Sequence, residues 1–356
     1  MVSLLLGLAF QMPPIVAVTP ASTSTFKDPQ IAVENDGHVY IAYGARDAIY
    51  VSVSRNMGKS YSAPILVGEV GKLSLGRRSG PRITAQNGKV TITAIYGAKG
   101  RGADGDIVVF RSNNHGESWE VGAKVNDVEG SAREGLHAMA ISPDGTLACT
   151  WLDLRSKGTT IYLSTSKDNG ATWSKNRLVY ESPSGTVCEC CHPSMTYDRS
   201  GQLQIMFRNS LNGARDMFLT STSDDGKTFA PAQKLGKGTW MLDACPMDGG
   251  MVASSTKGKT MTVWRRENSV FTSTPTGQEV LLGTGNQPWG AYSSDGLYAL
   301  WSGPNGISFM NPNLERAIIA EKGENPVLAS SPNLKILIGA WTDKGIKSIQ
   351  LIYPTG

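Results

Sequence analysis

The sequence predicts an all-β protein built from four-stranded antiparallel units that repeat and close on themselves. Three observations predict it. An eight-residue box occurs four times, with its glycines at Gly58, Gly116, Gly170 and Gly226. Short apolar strands ending in an aromatic recur at Tyr43, Tyr96, Trp151, Phe207, Trp264, Trp301 and Trp341, most of them a few residues after a glycine. Glycine itself accounts for 40 of 356 residues, as many short strands joined by tight turns require.

The clearest box is Ser166-Lys167-Asp168-Asn169-Gly170-Ala171-Thr172-Trp173. Looser copies start at Ser54, Ser112 and Thr222 and end in Tyr61, Trp119 and Phe229. The Asp or Asn accepts hydrogen bonds from the N–H groups of a tight turn. The glycine takes a backbone conformation that other residues avoid. The aromatic packs the hairpin on its neighbour. The box holds a hairpin and does no chemistry. It is identified as the Asp box (BNR repeat), and four copies make the chain resemble the sialidase-like β-propellers along nearly its whole length.

Taken in order, residues 1–10 carry the apolar run Leu4-Leu5-Leu6-Gly7-Leu8-Ala9, too short to span a membrane and read as a possible signal-peptide remnant. Residues 11–356 read as one propeller domain. Blade one offers strands at Gln30–Glu34, His38–Tyr43, Ile49–Ser54 and Pro64–Gly68, with the box between the third and fourth. Later blades repeat the scheme. The last unit has only three clear strands, Asn325–Ser331, Lys335–Trp341 and Ile346–Tyr353, so Ile15–Thr19 is expected to supply its fourth and close the ring. Seven blades follow from the seven aromatics. Six, the sialidase number, is the alternative, because the last two units are shorter and lack the box.

A net charge of +4 without a basic run argues against nucleic acid as a partner. The resemblance implies an acidic glycan or other small ligand at one mouth of the ring, and an extracytoplasmic protein. No segment reads as a membrane span.

Side chains at the heads of the innermost strands face the central channel and are the candidates for chemistry. Around the ring these include Lys27 and Asp28, Arg82, Arg133 with Glu134 and His137, the segment Cys188–His192, Asp243 with Cys245, and Gln287. Second strands add Asp153, Arg155, Arg208 and Arg265. In the sialidase pattern three arginines grip a carboxylate, a Tyr nucleophile is activated by a Glu, and an Asp is the acid/base. Forked guanidinium groups suit a carboxylate. The resemblance assigns Glu189 and Arg208 to this machinery, with Arg265 or Arg266 as a further arginine. It also departs from the pattern. Phe26-Lys27-Asp28-Pro29 has Lys where the family has Arg, Gly44 stands where the acid/base Asp would be, and Tyr292 lies close to the next turn. Arg133, Glu134 and Asp153 form a second constellation for hydrolytic or eliminative acid–base chemistry on an acidic sugar. Lys27, Arg82, His137, Arg155, Trp240 and Asp243 are the expected substrate-binding groups, unless these charges simply tie blades together.

The cysteines lie outside the sialidase pattern. Cys188-Glu189-Cys190-Cys191-His192 opens blade four and Cys245-Pro246-Met247 opens blade five. Three thiols, an imidazole and a fourth thiol form a soft ligand set for copper or zinc: Cys188, Cys190, Cys191, His192 and Cys245. Disulfides are the alternative, Cys188 or Cys190 to Cys245, or Cys190 to Cys191. Cys149 alternates within a strand and belongs to the core. The expected function is a sialidase-like glycoside hydrolase, with a copper or zinc protein and a non-catalytic binding propeller as alternatives.

Overall fold

The computed structural model describes residues 13–21, 25–99, 103–255, 257–331 and 333–352. The expected signal-peptide remnant lies outside the described residues, as does Tyr353 at the end of the last expected strand. Seven four-stranded antiparallel sheets form the ring, so the count of seven holds. Blade one runs Lys27–Val33, Val39–Ala45, Ala48–Ser54 and Ile65–Glu69 from the channel outwards. Blades two to six occupy 82–121, 132–180, 194–234, 251–284 and 286–320 in the same order. Blade seven takes Glu324–Ser331, Ile336–Thr342 and Ile346–Ile352 from the C-terminal end and Ile15–Ala17 from the N-terminal end.

That closure is an ordinary antiparallel ladder, Ile15 opposite Ile349 and Ala17 opposite Lys347. It pairs the outer edge of the last blade, which would otherwise be open. The repeating aromatics fill the space between blades: Tyr43, Trp151, Phe207, Trp264, Trp301 and Trp341 are all buried. Truncating one such aromatic costs about 3–5 kcal/mol. Cys149 is buried among them as expected.

The boxes behave as local clamps. Ser166 Oγ accepts from Gly170 N at 2.9 Å, and Asp168 accepts from Thr172 N at 2.9 Å. The turn uses two consecutive left-handed residues, Asn169 at φ 56° and Gly170 at φ 79°. Only the second has to be glycine for want of space. A Cβ at Gly170 would come within 2.9 Å of Val109, and one at Gly226 within 2.7 Å of Leu163. Each box thus presses on the preceding blade, which adds a packing reason to the conformational one.

Bulges at the heads of the inner strands position the mouth. In blades one, six and seven, two residues stand opposite one on the second strand, so that one is extra: Asp28-Pro29, Gln287-Pro288 and Asn325-Pro326. Their first residues have φ of 56°, 53° and 52°. The bulge brings them together across blades, and Asn325 Nδ2 donates to Asp28 Oδ1 at 3.0 Å.

Candidate functional site

The inner strands start at one mouth, and the charged residues gather there. Most of the arginines are consumed by the fold. Arg208 is 2% exposed, and its guanidinium donates to the carbonyls of Asp248 at 3.0 Å, Arg215 at 2.5 Å and Arg265 at 2.8 Å. Arg82 donates to the carbonyls of His137 and Pro81, at 2.9 and 3.0 Å, and to Arg78 O at 2.6 Å. Arg78, which the sequence reading passed over, reaches across the mouth to Gln287 Oε1 at 2.8 Å and Pro326 O at 2.9 Å. Its signal was the charged pair Arg77-Arg78 just before the Gly80-Pro81 strand head. Burial lowers the pKa of Arg78 to about 9 and of Arg82 to about 10.

The other expected groups divide in the same way. His137 is clamped between Thr93 Oγ1 at 3.0 Å and Gly135 O at 3.2 Å, and burial holds its pKa down at about 3. Asp153 accepts from Trp151 Nε1 at 2.7 Å and from Arg155 Nε at 2.8 Å, with no exposed surface. Arg155 also pairs with Asp127 at 2.9 Å and lies over Tyr162. Trp240 is buried between Arg208 and Arg265, 5.2 and 5.3 Å from its ring, rather than forming an open wall. Tyr292 lines the far part of the channel, away from the mouth. The accessible groups are Lys27, Asp243 and Glu189, the last paired with Arg133 at 3.2 Å. The side chain of Glu134 lies outside the described residues.

Two buried carboxylates remain at the strand heads. Asp248 accepts from Gln287 N at 2.8 Å through Oδ2, stands 3.6 Å from Arg265, and has no partner on Oδ1 among the described residues. Burial raises its pKa. Burial also raises Asp28 to about 6, against the Gly76 N–H bond and the nearby Arg82 and Arg78. A carboxyl whose folded pKa is raised contributes stability below its unfolded pKa near 3.8, and this is lost as pH rises through about 6. The interval corresponds to about 3 kcal/mol. Urea unfolding at several pH values is therefore expected to show wild-type stability falling between about pH 4 and pH 6 relative to Asp28→Asn. Parallel curves for the two proteins would rule this out.

The cysteines come together as the blade register implied. Cys190 and Cys245 form a disulfide joining blades four and five, with Cα atoms 6.1 Å apart. Cys188 Sγ lies 3.6 Å from Cys191 Sγ and 3.9 Å from Cys190 Sγ. Cys188, Cys190 and Cys191 are buried, and Cys245 is exposed. The hydrogen bond with Cys191, then Arg208 and Arg215, pull the Cys188 thiol down to about 7, while burial pushes Cys191 up. Cys191 Sγ also accepts from Asp248 N at 3.4 Å. His192 stacks on Trp289, its Nδ1 accepts from Gly249 N at 3.3 Å, and its Nε2 has no partner among the described residues. Burial, with Arg78, Arg82 and Arg208 nearby, keeps that ring neutral. His192 and Trp289 line a channel cavity of about 50 Å³.

The fold is shared with carbohydrate-active propellers. An α-L-arabinanase from Penicillium chrysogenum, complexed with arabinobiose, superposes with a TM-score of 0.60 at 12% identity over 96% of this chain and 98% of that one. A protein of unknown function from Dyadobacter fermentans gives 0.59 at 13% identity, covering 96% and 99%. The NanB sialidase from Streptococcus pneumoniae gives 0.56 at 13% identity, covering 93% and 69%. No curated protein matches the sequence. Among the described residues no helix is long and apolar enough to cross a membrane. The family model for the BNR repeat-like domain matches residues 48–246, more than half of the chain, and the protein belongs to this sialidase-like BNR propeller family.

Proposed function

We propose that the mouth of this propeller is a sulfur-rich centre that binds a thiophilic metal ion, copper(I) or zinc, in its reduced state. The observation that carries this reading is the spacing of the sulfurs. Thiolates around a tetrahedral ion at metal–sulfur distances of about 2.3 Å stand about 3.8 Å apart. The contacts from Cys188 are 3.6 and 3.9 Å. Reduction of the Cys190–Cys245 disulfide releases a third and a fourth sulfur beside them. Soft thiolates select copper(I) and zinc over harder cations. The Cys190–Cys245 bridge fits an oxidising, extracytoplasmic compartment, and its opening there takes an external dithiol that is itself oxidised to a disulfide as the two thiols are released. On this reading residues 11–356 act as one domain and residues 1–10 as the remnant of an export signal.

The test counts metal and thiols on the same full-length sample. Denatured without reductant, the protein is expected to show three thiols, Cys149, Cys188 and Cys191. After reduction it is expected to show all five and to take up one equivalent of copper(I) or zinc beyond what the unreduced sample holds. Reduction that leaves the protein folded but adds no stoichiometric uptake of either ion would refute the reading.

A second reading, hydrolysis or binding of an acidic glycan, is favoured by the fold's likeness to an arabinanase and a sialidase and by the accessible Arg133–Glu189 pair. It differs from conventional sialidase chemistry because Arg208 and Arg82 grip main-chain carbonyls. Screened on aryl glycosides of acidic sugars, Glu189→Gln is expected to lose any turnover found in the wild type while keeping its fold. Unchanged turnover would remove Glu189 from the chemistry.

A further inference from the structure

On the face of the ring opposite the cysteines, two histidines far apart in sequence meet. His38 lies in the turn between the first and second strands of blade one, and His115 lies in the box of blade two. First and third strands of a blade run in the same direction, so both turns lie away from the mouth. The two rings are 4.5 Å apart. Nδ1 of His38 is 2.9 Å from Asp36 Oδ2, and Nδ1 of His115 is 3.5 Å from Glu34 Oε2 and 3.8 Å from Asp36 Oδ2. One ligand atom from each of Glu34, Asp36, His38 and His115 lies within 4.8 Å of every other.

The charge balance asks for a cation. The Glu34 side chain is 2% exposed. It accepts from the Tyr40 hydroxyl at 2.7 Å and from Gly88 N at 2.8 Å, and among the described residues no lysine or arginine pairs with it. The nearest group able to carry a positive charge is the His115 ring, whose Nδ1 is 3.5 Å from Glu34 and 3.1 Å from the Tyr40 hydroxyl, and a buried carboxylate without a full positive partner is costly. Nδ1 of His38 is shielded from solvent and faces Asp36 Oδ2 at 2.9 Å.

The fold does not require histidine at either place. The box position of His115, φ 58°, is filled by Met57, Asn169 and Asp225 in the other boxes, at φ 62°, 56° and 57°. The turn position of His38 is filled by Thr146 in blade three and Gln202 in blade four, with the same backbone bonds. The backbone also leaves room for the imidazole: a Cβ at Gly88 would lie 2.7 Å from His115 Nε2.

We infer that Glu34, Asp36, His38 and His115 form a site for a divalent transition-metal ion of the zinc class, independent of the sulfur centre. Two imidazoles and two carboxylates are a zinc-type donor set. An ion there would neutralise Glu34 and fasten blade one to blade two.

The test titrates zinc alone into the full-length, unreduced protein carrying Cys188→Ser and Cys191→Ser, which removes the thiols of the other centre. This protein is expected to bind one equivalent. Adding His38→Gln and His115→Asn, residues that the same turns carry elsewhere in this chain, is expected to weaken binding by at least roughly 10–100-fold without changing the metal-free melting temperature. Equal affinity in the two proteins, or no binding by the first, would overturn the inference. As a control for folding, the wild type loaded with cobalt(II) is expected to show a d–d spectrum without thiolate charge transfer before reduction, lost in His38→Gln with His115→Asn. Its persistence in that variant would also overturn the inference.

Discussion

Arg208→Met is expected to lower the stability of the propeller by about 3–5 kcal/mol, the range for stripping a buried charged partner from its acceptors. The guanidinium satisfies carbonyls of Asp248, Arg215 and Arg265, and methionine leaves all three without their donor. A buried acceptor left unmade costs its full desolvation. A substrate-gripping arginine behaves in the opposite way, since its removal spares the fold and abolishes binding. Urea unfolding with the linear extrapolation separates the two. If the midpoint is unchanged, Arg208 is not the fastener of blades four and five that its contacts describe. The Arg133–Glu189 pair supplies the contrast. It is half-exposed, and breaking it is expected to cost no more than about 1 kcal/mol.

The second large effect is at the sulfur centre. Cys188→Ser combined with Cys191→Ser is expected to abolish the stoichiometric uptake of copper(I) or zinc that reduction adds, because two of four sulfurs are lost. Serine keeps the volume and the hydrogen-bonding capacity but is a poor ligand for a soft ion. The Cys190–Cys245 bridge between blades remains available in this variant, so its melting temperature without reductant serves as the control for folding. Uptake equal to that of the wild type would place the metal elsewhere or nowhere. A loss of metal together with the loss of the fold would point to a structural role, and Cys191→Ser alone then decides. Since Cys191 also accepts from Asp248 N, a fold that fails in this single variant would trace to that contact.

The architecture was legible in the sequence because its determinants are local and repeated. A box of eight residues specifies its own turn, and an aromatic at the end of a strand specifies a buried edge between blades. Even the closing strand at Ile15–Ala17 followed from counting, since one unit lacked its fourth strand. The meeting of the cysteines was legible for the same reason, as equivalent positions of neighbouring blades adjoin.

Availability was not legible. Arg208, Arg82, His137 and Asp153 have the residue types that catalysis uses, and the sequence places them near one mouth. Only the tertiary structure decided that their polar atoms face main-chain carbonyls, a threonine and a tryptophan rather than an open site. The same holds for the choice of Cys190 as the partner of Cys245, and for the meeting of His38 with His115. The physical reason is that a repeat fixes where a residue's Cα lies to within a strand. Whether a side chain serves the fold or a ligand depends on which buried donors and acceptors still lack a partner. That balance is struck between blades, across contacts that no local pattern records.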